Sequence, residues 1–132
     1  SAAPGAAEFG RIKNDATSCD AEICLMVMPE TRLAVENIDA MAAIDGVDAF
    51  FIGPGDLAAI LGYIGQPMHP EVIRVIEETG HRIQAAGKVA GILCTDEEQT
   101  RRYIACGFQI VAIGSDQGLL MKGAQQLLAR FN

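Results

Sequence analysis

The sequence predicts an α/β fold built on a parallel sheet, and three observations carry that prediction. Short apolar runs recur at regular intervals along the 132 residues. Longer stretches with helix start and stop signals separate them. The first two runs are apolar on both faces, as strands covered from both sides read. Four strand-to-helix units in succession imply parallel strands joined by right-handed crossovers.

Residues 1–22, with Ala, Gly, Pro and Ser in front and a mixed polar stretch behind, read as a connecting segment ahead of the folded unit 23–132. The first strand is expected over 23–28, Ile-Cys-Leu-Met-Val-Met, followed by a helix over about 31–43. Ala49-Phe50-Phe51-Ile52 forms the second strand, and residues 53–68 a Gly-rich loop with one short helical turn. Pro70 opens a helix that Gly87 closes, because proline's fixed φ suits a first helical position and glycine suits the residue past the last. Strand 89–93, a helix over about 96–106 ending at Gly107, strand 110–113 and a helix over about 116–131 complete the order. Leu119, Leu120, Ala124, Leu127, Leu128 and Phe131 give this final helix an apolar stripe of the kind that ordinarily packs on a core.

Composition narrows the class. Half the residues are hydrophobic and a fifth charged, which is globular rather than disordered. Ten basic residues against 17 acidic ones give a net charge of −7, which opposes binding to nucleic acid or anionic membranes. No apolar stretch approaches the roughly 18 residues of a membrane span, and no secretory leader pattern opens the chain, so a cytoplasmic protein is expected. Cys19, Cys24, Cys94 and Cys106 show neither CxxC pairing nor a histidine at zinc spacing, which supports neither a disulfide scaffold nor a zinc site. His69 precedes Pro70 at a helix start and His81 lies within a helix; both read as structural or solvated.

Two carboxylates stand out. Glu30 and Asp56 each sit where an apolar strand gives way to a loop, so their side chains would lie side by side at the carboxyl ends of neighbouring strands. Hard oxygen ligands placed there can hold a divalent cation and leave positions open for water and substrate. The competing account makes Glu30 a first-turn acid and Asp56 a helix N-cap. Gly53-Pro54-Gly55-Asp56-Leu57-Ala58 also matches G-x-G-x-x-A after a strand, the dinucleotide pattern. Gly62, Gly65 and Pro67 break the helix that this pattern needs, and no acid follows at the end of a second strand. Four units fill about half of a (β/α)₈ barrel of roughly 250 residues, leaving either a small open domain or part of a barrel.

Pro29-Glu30-Thr31-Arg32, Phe51-Ile52-Gly53-Pro54-Gly55-Asp56-Leu57 and the run from Gly62 to Val72 are spaced in an order that resembles the HpcH/HpaI aldolase family. Gly87-Lys88-Val89-Ala90-Gly91-Ile92-Leu93 and Val111-Ala112-Ile113-Gly114-Ser115-Asp116 resemble its last two strands. The resemblance implies a (β/α)₈ TIM barrel of which this chain is the C-terminal half, strands five to eight. It further implies a metal-dependent aldolase that cleaves a 4-hydroxy-2-oxo acid to pyruvate and an aldehyde through the pyruvate enolate. Glu30 and Asp56 would then bind Mg²⁺ or Mn²⁺, with Co²⁺ admissible. The backbone N–H groups of Gly55 and Asp56 would meet the pyruvate carboxylate, and Leu93 would pack near the aldehyde-derived part.

The resemblance assigns no catalytic residue to this chain, because the family's histidine and pyruvate-binding arginine come from the first half of the barrel. Met28 stands where the family commonly has a glutamine that hydrogen-bonds near the substrate. A homo-oligomer, as large as a hexamer, is implied, with helix 116–131 a candidate for packing on a neighbouring subunit. Two other readings stay open: a citrate lyase β or malyl-CoA lyase-like enzyme, and an inactive half barrel that binds only metal, oxo acid or partner chains. Strands 23–28 and 110–113 would lie at broken edges, which predicts self-association or a longer protein.

Overall fold

A computed structural model describes residues 20–131, so most of the connecting segment expected over 1–22, with Cys19, lies outside the described residues. Four parallel strands form one sheet in the order β1-β2-β3-β4: β1 Met26–Val27, β2 Ala49–Ile52, β3 Val89–Leu93 and β4 Ile110–Ala112. Between and after them lie α1 Arg32–Glu36, α2 Ile38–Ala42, α3 Pro54–Ile60, α4 Pro70–Ala85, α5 Glu97–Ala105 and α6 Asp116–Ala129.

The two central strands build the core. β2 and β3 pair over four consecutive positions, Ala49 with Val89 through Ile52 with Ile92. Phe50 and Ile52 of β2, with Ala90 and Ile92 of β3, are buried in one cluster with Ile38, Val72, Ile76, Ile83, Tyr103 and Phe108 from the helical layer and its connections. On α4 the buried positions 72, 73, 76, 79, 80 and 83 recur at helical spacing, so a single stripe faces the sheet. The opposite sheet face is closed locally by Phe51, whose ring covers Gly91; a Cβ added there would stand 2.8 Å from that ring.

The edge strands are shorter than their apolar runs. Of the run expected over 23–28 only Met26 and Val27 pair with β2, although Asp48 extends the junction by accepting from Leu25 N (2.7 Å) through Oδ2. A run covered on one flank only has no second neighbour to prolong it. Ile23, Leu25, Met26 and Met28 are accordingly exposed, as are Ile110 and Ile113 at the other edge.

The helix expected over 31–43 is two helices. Asn37 caps the first and its Nδ2 donates to Leu33 O (2.8 Å), while Arg82 of α4 reaches across to the break. Its Nη1 donates to Val35 O (3.1 Å) and its Nη2 to Glu36 O (3.0 Å) and Asp39 Oδ2 (2.7 Å). Carbonyls released by the interrupted helix thus gain a charged donor in place of amides. No residue of α6 is buried, and Leu119, Leu120, Leu127 and Leu128 are all exposed. Its stripe therefore does not belong to this core. No described helix is long and apolar enough to cross a membrane.

Two stability predictions follow from α4. Glycine-to-alanine in a helix interior ordinarily stabilises by about 1 kcal/mol. At Gly80 the added Cβ would meet Phe108 Cζ at 2.5 Å, so Gly80→Ala should instead cost about 1–3 kcal/mol in urea unfolding, and a stabilised variant would contradict this packing. Glu77 accepts from Arg102 Nη2 (2.9 Å) and Nε, and these bonds hold its carboxyl below the usual glutamate range. The stabilisation is complete above the ordinary glutamate pKa and lost as pH falls through the lowered native value. The urea midpoints of wild type and Glu77→Gln should differ most near neutrality and converge in acid; a gap unchanged by acid would rule this pair out as its source.

Candidate active site at the carboxyl end of the sheet

The parallel register sets which residues emerge together. Val27 pairs with Phe50, so Glu30 and Gly53 each lie three residues farther along adjacent chains. Asp56 returns to that level from the first turn of α3, because a Cβ on Gly53 would stand 2.7 Å from Asp56 Oδ2. The missing side chain at Gly53 leaves room for that carboxylate over the strand end.

Neither carboxylate does helix-capping work. Thr31 is the N-cap of α1, its Oγ1 accepting from Ala34 N (3.1 Å), which leaves Glu30 outside the helix. Gly53 occupies the N-cap position of α3, and Asp56 follows in the first turn, where a negative charge suits the helix dipole. Neither Glu30 nor Asp56 has a hydrogen-bond or ion-pair partner among the described residues, and both are exposed. Two hard, unsatisfied oxygen donors on neighbouring chain ends fit an oxygen-preferring divalent cation. No group of three or more His, Cys, Asp or Glu side chains able to hold a metal occurs among the described residues, so water or substrate would have to complete the coordination.

Gly55 is the second residue of α3, and a Cβ there would meet nothing within 4 Å. The first amide of this turn to bond back along the chain is Leu57 N, to Gly53 O (3.0 Å), which leaves the N–H groups of Gly55 and Asp56 outside the backbone hydrogen bonding. Leu93 ends β3 and is 41% exposed. Gly55 and Leu93 line one cleft of about 250 Å³ together with Met68, Cys94, Asp96 and Tyr103, while Glu30 and Asp56 are not among its lining residues. Tyr103 is 1% exposed, and burial pushes its hydroxyl up to about 12.

The remaining candidates have structural partners. His69 caps α4 by accepting from Glu71 N (3.2 Å) at Nδ1, and its ring stacks on Tyr63 at 3.7 Å. Arg32 donates from Nη2 to Ile60 O (2.9 Å), tying the loop after β1 to the end of α3. Met28 is half exposed and offers no polar atom where a glutamine would. Met68 and Tyr103 were not marked by sequence reasoning. Met68 lies in a loop with no periodicity to orient it, and Tyr103 reads simply as a core aromatic of an amphipathic helix.

A family model described as HpcH/HpaI aldolase/citrate lyase matches residues 6–123. The pyruvate aldolase of Rhizobium etli is 47% identical over 131 residues, an alignment that takes in 99% of this chain and 52% of that protein. The hydroxypyruvate/pyruvate aldolase of Pseudomonas aeruginosa is 44% identical over 131 residues, covering 99% of this chain and 49% of that one. A crystal structure of a protein of the same family from Burkholderia cenocepacia superposes with a TM-score of 0.86 at 30% identity, over 96% of this chain and 49% of the other. The chain spans about half the length of the curated relatives it matches, and its sheet and helices correspond to about half of their barrel.

If Glu30 and Asp56 are the protein ligands, Asp56→Asn keeps the shape and removes a charge. Mn²⁺ titrated into both proteins and followed by water-proton relaxation should bind the variant at least about tenfold more weakly, about 1.4 kcal/mol. Equal affinities would return Asp56 to a helix-dipole role.

Proposed function

Because the chain belongs to the HpcH/HpaI aldolase/citrate lyase family, we propose that it forms the C-terminal, metal-holding half of a pyruvate aldolase barrel. The whole protein would be a carbon–carbon lyase cleaving a 4-hydroxy-2-oxo acid to pyruvate and an aldehyde. The observation that supports this reading is that two unpartnered carboxylates, Glu30 and Asp56, and the open first turn of α3 follow adjacent strands at the same end of the sheet. Relatives named pyruvate aldolase, hydroxypyruvate/pyruvate aldolase and 2-keto-3-deoxy-L-rhamnonate aldolase support it.

Glu30 and Asp56 would hold Mg²⁺ or Mn²⁺, with Co²⁺ admissible, and the bound cation would supply Lewis-acid stabilisation of the charge that develops at the keto oxygen. The chain's own contribution is orientation. Gly55 and Asp56 present backbone N–H groups to the carboxylate of the oxo acid, and the absent side chain of Gly55 lets that group approach. Leu93 excludes water from the departing aldehyde. Neither histidine is placed for proton transfer, since His69 is engaged as a cap and His81 is exposed on α4. That task falls to the histidine and arginine that the resemblance places in the other half of the barrel.

The apolar edges at β1 and β4 and the exposed face of α6 suit cover by further protein, either the other half of a barrel or a second copy in a homo-oligomer. The thiols of Cys24, Cys94 and Cys106 are free, which suits a cytoplasmic setting. The cleft is lined by no lysine or arginine, which disfavours the citrate lyase β or malyl-CoA lyase-like alternative with its anionic CoA tail.

The test combines this chain with the other barrel half of the Rhizobium etli relative and follows pyruvate release from 4-hydroxy-2-oxo acids with Mn²⁺. The chain alone should turn over negligibly, the combination should release pyruvate, and Glu30→Gln should lower that rate at least about 10²-fold. A combination that associates yet shows no metal-dependent cleavage would leave only the inactive, binding half barrel.

A further inference from the structure

The cleft beside Gly55 has a chemical character that neither the metal ligands nor the pyruvate-holding turn explains. We infer that it receives the aldehyde-derived end of the substrate and that Met68 restricts this end to an aryl or short alkyl group rather than a polyhydroxylated chain. The inference rests on the aldolase reading and adds the substrate class.

Continuity comes first. Gly55, which the aldolase reading assigns to the oxo-acid end, and Leu93, at the end of β3, line the same cleft as Met68. A substrate whose carboxylate meets the first turn of α3 would therefore extend its far end towards Met68.

The lining chemistry comes second. Proline, methionine, leucine and cysteine side chains form most of the wall, and of its polar side chains only the Thr95 hydroxyl, the second Asp96 oxygen and the buried Tyr103 hydroxyl are left to meet a ligand. Asp96 Oδ1 accepts from Gln99 N (2.8 Å), Cys94 Sγ donates to Asp96 O (3.6 Å), and Cys94 O accepts from Thr100 Oγ1 (3.1 Å). A sugar-like chain would surrender its water here with few partners in return. An anionic end would face the Asp96 carboxylate. An apolar end loses nothing polar on entering.

Size and order come third. A cavity of about 150 Å³ lined by apolar side chains already accommodates benzene, and this cleft measures about 250 Å³. Met68 is held from both sides. His69 N donates to Gln66 O (3.0 Å), Gln66 N donates to Tyr63 O (2.9 Å), and the Tyr63 and His69 rings stack across the loop. The thioether on this anchored loop can adapt to differently shaped apolar groups.

The test uses the full chain carrying ¹³C-methyl methionine and leucine, with benzyl alcohol and glycerol as probes. Benzyl alcohol should shift the Met68 methyl resonance saturably and leave those of Met26, Met28, Met41 and Met121 nearly unmoved, while glycerol should shift none. Met68→Asp should raise the half-saturating concentration at least tenfold, read from the Leu93 methyls. Met68→Leu should restore it, and an unchanged Met41 resonance reports that both variants are folded. Glycerol acting at Met68 as strongly as benzyl alcohol, or benzyl alcohol moving all five methionines alike, would overturn the inference. Failure of metal-dependent cleavage with the Met68 response intact would instead retire the aldolase reading and leave an apolar cleft of another use.

Discussion

In-register parallel pairing of β2 with β3 is the constraint on which the rest depends. Because Ile52 lies opposite Ile92, the next residues along each chain, Gly53 and Leu93, emerge at the same level. The first turn of α3 and the end of β3 thereby become neighbours, and a cleft opens between them. The same register puts Phe50, Ile52, Ala90 and Ile92 on the helix-facing side and Phe51 over Gly91 on the other. A slip of one residue would turn each of these side chains to the wrong face. The packing that makes the core and the alignment that makes the site are thus one choice.

Polar contacts then fix how the peripheral elements meet this centre. Arg82 satisfies two backbone carbonyls at the interrupted helix after β1 and pairs with Asp39, which joins α4 to that region. Arg32 joins the loop carrying Glu30 to the end of α3, the helix that carries Asp56. The two candidate metal ligands therefore sit on segments that a single arginine ties together while neither carboxylate is itself consumed. A site that must bind a cation benefits from this division, since ligands already paired with arginine would have to surrender that pairing first.

The exposed surface complements the core. Apolar side chains of β1, β4 and α6 face solvent although they come from sequences patterned for burial. This is the distribution expected of an element set whose cover lies outside it, and it agrees with relatives twice as long. Central and edge strands with similar composition thus meet opposite fates according to whether a neighbour is present.

Local sequence determined a good deal. β2 and β3 fall at the predicted residues, because a short apolar run flanked by turn residues has few alternatives to a buried strand. Pro70 and Gly87 bracket α4 for reasons of backbone geometry that act within a few residues. Glu30 and Asp56 stood out as candidates from their places after strands, whereas Gly55 and Leu93 entered only through the family resemblance. Only the tertiary structure decided that the helix after β1 breaks at Asn37, since the donor that takes up its freed carbonyls comes from Arg82, far away in sequence. It alone turned the stripe of α6 to solvent, because periodicity records that a face is apolar and not what covers it. It alone brought Met68 into contact with the space beside Leu93, since a loop has no repeating geometry from which a side chain's direction can be read.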